Sequence, residues 1–475
     1  MSTQKYSAIS NGVATAAAST FEVKNPATGE LVGHAPNSTK EQVNQAVSSA
    51  KAAQVAWGAL SLEKRTETLM KLIDVLGANK EYLADLITKE QGKPLFPGGP
   101  GSLAEIEMSM GFSHVPLSLD IPTEVVFEND VKRAEVHYKP LGVVAAIAPW
   151  NWPVLIAIWQ IIPALRMGNA VVLKPSENTP LSTLEMVRLF NEVLPVGVLN
   201  TVSGAGDVGA ALVEHKDIDK IMFTGSTATG KKIIEASGSN MARLTMECGG
   251  NDAAIILPGT VISEQKAGDL FFGSFINMGQ TCAAIKRLYV HENDYDNVVG
   301  TLNGMAGAMP MGNGLEEGMV FGPVQNKKQL DIVDTLVEDA KANGADIIRG
   351  GSPQGGAGYF YPITLVGNVD NGTRLVDEEQ FGPVLPVIKY NTVEEAIAKA
   401  NDSDVGLGAS VWGDNLDEAQ KVAAQMEAGI VWVNEHGMVD PMVPFGGVKN
   451  SGYGQEFGLA GLKAVAQAKV ISIKK

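Results

Sequence analysis

Cys282 closes the string Asn277-Met278-Gly279-Gln280-Thr281-Cys282. A helix-like segment ends near Met278, and the small residues after it leave room around a thiol. An accessible thiol can ionise and act as a nucleophile. The local string fits an inert core cysteine equally well. Upstream, Leu244, Met246 and Cys248 alternate with Thr245 and Glu247 before Gly249 and Gly250. That reads as a strand end followed by a Gly pair that lets a ligand approach the backbone. A carboxylate there, with its pKa raised, acts as a general base. Taken alone, Glu247 is more readily an ordinary surface glutamate.

Three more strings sit at strand-to-helix turns. In Pro149-Trp150-Asn151-Trp152-Pro153, Pro153 suits the first turn of a helix. Asn151 is either the helix N-cap or an amide donor to a developing oxyanion. Trp152 and Trp159 lie seven residues apart, on one helical face. They line either the core or a substrate tunnel. Phe223-Thr224-Gly225-Ser226-Thr227-Ala228-Thr229-Gly230 opens a helix after a strand, which suits phosphate binding at a helix N-terminus. Lys174-Pro175-Ser176-Glu177 also follows a strand, and a carboxylate there can accept from ribose hydroxyls.

The elements that must position these residues are legible in outline. Residues 42–57 and 63–91 have helical periodicity, and residues 96–101 read as a loop. The first hundred or so residues read as helices with short loops, after a frayed tail at 1–20. Residues 124–138 alternate apolar and charged, as an exposed antiparallel strand pair does, and a second chain could bury them. Apolar runs at 143–148, 170–173, 198–202 and 218–223 are separated by helical segments at 153–167, 182–193 and 208–214. Buried strands joined by helices mean a parallel, doubly wound sheet. A second set of strands is expected near 253–257, 287–291, 345–349, 384–390, 409–412 and 430–434, with a last strand over 464–473.

Bulk properties exclude several classes. At 475 residues, two or more domains are expected. A net charge of -16, from 37 basic and 53 acidic residues, disfavours nucleic acid and anionic lipid as partners. No run of apolar residues is long enough for a membrane span. Two cysteines and 6 histidines give neither a disulfide framework nor metal-ligand spacing, so no metal is expected. A reducing, cytoplasmic location fits best.

Together the strings resemble the aldehyde dehydrogenase superfamily over nearly the whole chain. PWNWP, KPSE, FTGS, ECGG, GQTC, EEQFGPV and PFGGVKNSGYGQE stand in the family's order and at its approximate spacing. The resemblance implies an α/β fold in three parts. A Rossmann-like NAD-binding domain would take 1–121 and 140–247, and a catalytic domain 248–440. Oligomerisation strands at 122–139 and 455–475 would build a homodimer or homotetramer.

The resemblance also implies a mechanism. Cys282 attacks the aldehyde, Asn151 and the Cys282 N–H hold the oxyanion, hydride passes to the nicotinamide, and Glu247 activates the hydrolytic water. Lys174 and Glu177 would meet the adenosine ribose, and Gly206, Gly209, Phe223, Gly225 and Ser226 the adenine and pyrophosphate. Glu379 would hold the nicotinamide ribose, with Phe381 near the ring. Ile147, Pro149, Trp150, Ser176 and Gly249 complete the cofactor set. Glu177 favours NAD over NADP by repelling a 2′-phosphate. Asn251, Cys248 and Gln455 depart from the family's usual Lys, Leu and Arg.

For substrate, Trp152, Trp159, Ile276 and Phe445 suggest an apolar tunnel for a neutral aliphatic or aromatic aldehyde. Trp159 and Ile276 stand where the succinate-semialdehyde branch has arginines. Cationic aminoaldehydes or betaine aldehyde are an alternative, since Trp faces attract ammonium groups. A CoA-acylating enzyme and a non-catalytic structural use of the fold are the remaining alternatives.

Overall fold

A computed structural model describes residues 5–95 and 101–475 of the chain. The loop expected at 96–101 falls largely on 96–100, outside the described residues. Two large sheets carry the fold. The first runs Gly452–Tyr453, Arg243–Glu247, Lys220–Thr224, Val143–Ile147, Ala170–Lys174 and Leu199–Thr201. Its last five strands are parallel and the 452–453 edge is antiparallel. The three strands at its centre, Lys220–Thr224, Val143–Ile147 and Ala170–Lys174, are buried at every residue, as a sheet covered by helices on both faces requires. Register brings Ile147 level with Lys174 and Phe223, and Thr224 level with Glu247. The expected cofactor residues Ile147, Lys174 and Phe223 therefore lie level with one another, at the carboxyl ends of the strands.

The second sheet runs Asp346–Arg349, Thr364–Gly367, Val384–Tyr390, Ile285–His291, Asp252–Ile256, Gly408–Trp412 and Ile430–Val433. Only its 346–349 edge is antiparallel. Four residues, Cys248 to Asn251, link Glu247 in the first sheet to Asp252 in the second. Asp252 pairs with Ile285, three residues beyond Cys282. The two sheets thus bring the carboxylate and the thiol to their junction.

A third, antiparallel sheet joins Glu124–Glu128, Lys132–Pro140 and Ala466–Lys474, as expected for 124–138 and the tail. Val126 and Val470 on it are 59% and 64% exposed.

Three expectations are corrected. The N-terminal segment is not a frayed tail from Tyr6 onward. Ala8–Ser10 pairs with Val13–Thr15, Tyr6, Ala8 and Ile9 are buried, and the Ile9 N–H donates to Thr201 Oγ1 at 2.8 Å. Nor are the first hundred residues purely helical, since Ser19–Lys24 pairs with Leu31–Asn37. The helix expected over 63–91 is two, Leu62–Ala78 and Lys80–Gln91. They break at Asn79, whose side chain folds back to the Val75 carbonyl at 2.9 Å.

Helix Pro153–Arg166 is buried at every position and starts with proline, matching its apolar sequence. Among the described residues no helix is long and apolar enough to cross a membrane.

Candidate active site

The turn before Cys282 is strained. Helix Glu264–Phe275 gives way at Ile276 to three left-handed residues, Asn277, Met278 and Gly279, with φ of 51°, 59° and 68°. Only glycine adopts such angles freely, so the surroundings must enforce them. A Cβ at Gly279 would lie 2.2 Å from the Gly382 carbonyl oxygen. Asn277 donates from Nδ2 to the Asn151 carbonyl at 2.9 Å and accepts from Gln91 Nε2 at 3.1 Å. Gln280 donates to the Asn277 carbonyl at 2.9 Å and accepts from the Gln325 N–H at 2.8 Å. Cys282 emerges half-buried from this knot. Removal from bulk water, with Asp252 and Glu379 adding, pushes its thiol up to about 12, against the pull of Lys286.

Asn151 is not the N-cap; Trp152 occupies that position and makes no side-chain cap. A carboxylate from a different helix caps instead. Glu105 Oε1 accepts from the Val154 and Leu155 N–H groups at 2.9 and 3.2 Å. Its Oε2 pairs with Lys93 Nζ at 2.5 Å, both side chains fully buried. Lys93 also donates to the Asn151 carbonyl at 2.9 Å and lies 3.5 Å over the Trp152 ring. Asn151 Nδ2 donates to the Gln280 carbonyl at 2.9 Å, which uses one of its two amide hydrogens. Trp152 Nε1 donates to Thr281 Oγ1 at 3.1 Å. The Asn151 turn and the Cys282 turn are thereby stitched together.

Glu247 is 3% exposed, and neither carboxylate oxygen has a protein hydrogen-bond partner. That excludes the surface-glutamate reading. Burial first, then the nearby Glu456 charge, hold its pKa well above the usual carboxylate range. Glu456 is likewise buried and unpartnered, and burial raises it to about 8. Lys220, at the start of its strand, is pulled down to about 8 by burial and donates to Thr245 Oγ1 at 2.6 Å. The Glu247 loop touches the nucleophile: a Cβ at Gly250 would sit 2.9 Å from the Cys282 carbonyl oxygen.

The expected cofactor residues fall in two groups. Ile147, Pro149, Lys174, Ser176, Glu177, Phe223, Gly225 and Ser226 lie at or just past the strand ends of the first sheet. Glu177 is exposed and lies 3.8 Å from Lys174 Nζ. Ser226 caps helix Thr227–Ser237, accepting from the Thr229 N–H at 3.3 Å. Gly206 opens helix Gly206–Val213 onto free space, and a Cβ at Gly209 would meet the Lys174 side chain at 3.7 Å. The second group surrounds Glu379. A Cβ at Gly249 would lie 2.1 Å from Glu379 Oε2, so any side chain there would push that carboxylate aside. Trp150 and Phe381 stand edge to face at 5.4 Å.

The expected tunnel residues divide. Trp159 packs on Phe457 at 4.8 Å and Phe112 at 5.6 Å, and Phe445 on Phe457 at 5.8 Å. Trp152 turns instead toward Thr281 and Lys93, so it does not share one wall with Trp159. Ile276 and Cys282 both pack against the core cluster that holds all these rings. Sequence reasoning missed Phe112, Phe457, Lys93, Glu105, Lys220 and Lys286. A lysine within an apolar strand start, as in Ile285-Lys286-Arg287-Leu288, was an available signal for the last.

The three departures have plain settings. Asn251 is buried and donates to the Val376 carbonyl at 2.8 Å. Cys248 is buried, its thiol raised to about 11 by burial. Gln455 is exposed in the single chain. Among the described residues no group of three or more His, Cys, Asp or Glu is arranged to hold a metal.

Residues 13–471 match the aldehyde dehydrogenase family profile. Phenylacetaldehyde dehydrogenase of Pseudomonas fluorescens is 40% identical over 94% of this chain and 90% of its own length. Among solved structures, betaine aldehyde dehydrogenase of Staphylococcus aureus in complex with NAD+ superposes with a TM-score of 0.94. It is 31% identical, covering 98% of this chain and 94% of its own. An NAD+ complex of aldehyde dehydrogenase from Bacillus cereus gives a TM-score of 0.93 at 34% identity, covering 99% and 97%. The chain belongs to the aldehyde dehydrogenase family.

Proposed function

We propose that the protein oxidises an aldehyde to its carboxylic acid with NAD, through a thioester on Cys282 that Glu247 hydrolyses as general base. The observation that carries this reading is the pairing of a half-buried thiol with a buried, unpartnered carboxylate whose loop abuts it. With its pKa raised, the thiol needs a base to become nucleophilic. Glu247 can accept that proton and later take one from water. The free hydrogen of the Asn151 amide and the Cys282 backbone N–H would hold the oxyanion formed on attack and again on hydrolysis. Both oxygens of Glu247 are unengaged, so either can orient the water.

The residues present fit NAD. The Glu379 carboxylate closes over Gly249 where it can accept from a ribose, the Trp150–Phe381 pair stands two residues along from it, and the helix capped by Ser226 offers N–H groups to a pyrophosphate. When bound, the nicotinamide supplies the hydride acceptor. The exposed Glu177 carboxylate beside Lys174 would accept ribose hydroxyls and repel a 2′-phosphate, which favours NAD over NADP. The NAD+ complexes of related enzymes support the same reading.

For substrate we infer a neutral aliphatic or aromatic aldehyde, supported by the Phe112, Trp159, Phe445 and Phe457 rings in the core cluster against which Cys282 packs. The phenylacetaldehyde relative agrees with it. The Trp159 face and the betaine aldehyde relative favour a cationic substrate as the second reading. The three sheets support a division into 1–121 with 140–247, 248–440, and 122–139 with 455–475, with the Gly452–Tyr453 edge strand of the first sheet falling outside these bounds. The exposed Val125, Val126, Phe127, Val470 and Ile473 on the third sheet support a homodimer or homotetramer. The two unpaired cysteines fit a reducing, cytoplasmic setting.

The test is a panel of aliphatic, aromatic and quaternary-ammonium aldehydes with NAD and with NADP, followed by reduced-nicotinamide absorbance. Phenylacetaldehyde-like substrates with NAD should give the highest kcat/KM. Cys282→Ser should abolish oxidation while NAD binding survives; full retained activity would sink the mechanism.

A further inference from the structure

Lys286 is a buried cation that the mechanism above does not use. It is the second residue of strand Ile285–His291, four residues past Cys282, and is 2% exposed. A buried ammonium is costly unless each of its three hydrogens is engaged. Here Nζ donates to the Thr281 carbonyl at 2.8 Å and the Cys282 carbonyl at 2.7 Å, and pairs with Glu379 Oε1 at 3.2 Å. The same Glu379 oxygen accepts from the Gly250 N–H at 3.2 Å, and Gly250 abuts the Cys282 carbonyl. One cation therefore ties the nucleophile's backbone to the carboxylate read above as the ribose acceptor. The other ionisable groups nearby are Asp252 and His436. Asp252 accepts from the Gly408 N–H at 3.1 Å and lies 3.5 Å from His436 Nε2. Burial holds His436 below its usual pKa, so it adds little positive charge.

We propose that Lys286 is the positioning residue through which occupation of Glu379 reaches the nucleophile. Its ammonium fixes the two carbonyls that flank the Cys282 backbone unit while sharing its charge with Glu379. Ribose hydroxyls donating to Glu379 spread that carboxylate's negative charge. Lys286 is then less neutralised, and its field stabilises the Cys282 thiolate more strongly. The burial of the thiol and the opposing pulls of Lys286 and Glu379 on it agree with this geometry. The inference rests on the proposed roles of Cys282 and Glu379.

The test is the pH dependence of Cys282 alkylation by iodoacetamide in the full-length protein, read by peptide mass to separate it from Cys248. Each protein is measured free and saturated with NADH, whose neutral ring leaves the ribose contact as the main change at Glu379. For the unaltered chain, NADH should lower the alkylation midpoint by about one pH unit, about tenfold in rate at fixed pH below it. Lys286→Met should raise the free midpoint by about one unit and remove most of the NADH shift. Glu379→Gln should lower the free midpoint. A loop merely loosened would not move the two variants in opposite directions. Lys286→Met with the unaltered profile and a full NADH shift would overturn the proposal, as would both variants moving the same way. Should Lys286→Met fail to fold, the unaltered chain still decides. AMP, which carries only the adenosine ribose, should leave the midpoint unmoved, and an AMP shift equal to that of NADH overturns the proposal. The parent reading fails separately, if Cys282→Ser still oxidises aldehydes.

Discussion

The side chains of Asn277, Gln280 and Thr281 beside Cys282 all have partners, whereas both oxygens of Glu247 and of Glu456 have none. The two sides of the junction between the sheets are thus built oppositely. The nucleophile side holds three consecutive left-handed residues, and the Asn151, Gln91, Gln280 and Lys93 bonds keep them there. The base side places two carboxylates out of water with no hydrogen-bond partner, and burial raises both pKa values against the pull of Lys220 on Glu456. A nucleophile must meet the carbonyl in one geometry, so it is braced. A base that works near neutral pH needs a raised pKa and free oxygens for water, so it is left bare.

That contrast can be broken most severely at Lys93. Lys93→Met leaves Glu105 buried and uncompensated, and should lower the stability read by urea unfolding by about 3–5 kcal/mol. Lys93→Met with Glu105→Leu should recover much of that stability. kcat should stay low in the double variant, because the Asn151 carbonyl keeps only its Asn277 donor and the start of helix Pro153–Arg166 loses its cap. Next in size, Asn151→Ala should lower kcat by about 10²–10³, the effect of removing one oxyanion donor, as steady-state kinetics would show. On the base side, Glu456→Gln removes the neighbouring negative charge that raises Glu247. A group whose pKa is raised by repulsion falls when the repulsion goes, so the acid limb of the kcat profile should move to lower pH. A limb unmoved by Glu456→Gln would mean that the two carboxylates do not interact. The smallest effect is expected at Cys248, which is buried and inert. Cys248→Ala should leave kcat unchanged and cost about 1 kcal/mol of stability.

How far the molecule could be read from its residues follows the same division. Cys282 and Glu247 stood in strings whose glycines and small residues allowed close backbone approach, Asn151 stood at a strand-to-helix turn, Glu379 was implied by the family resemblance alone, and the parallel sheet was legible from uniformly apolar runs. The braces were not. Lys93 finds Glu105 twelve residues on, across a helix start, and then Asn151 much farther along the chain. No local period encodes such partners. Glu105 was invisible as a cap because it serves another helix. The N-terminal strands looked like a tail because they are three residues long, and the hairpin they form is anchored by Thr201 and His34, which lie far off in the chain. Strand Thr364–Gly367 was missed because Gly- and Pro-rich stretches surround its four residues.

The central claim, that Cys282 carries the acyl group and Glu247 releases it, is tested most directly by intact mass spectrometry of Glu247→Gln. The variant is mixed with NAD+ and one equivalent of a turnover-competent aldehyde. The account expects one oxidation event, followed by a protein heavier by the acyl group at Cys282 that hydrolyses slowly. An unmodified Glu247→Gln that turns over at the original rate would contradict it.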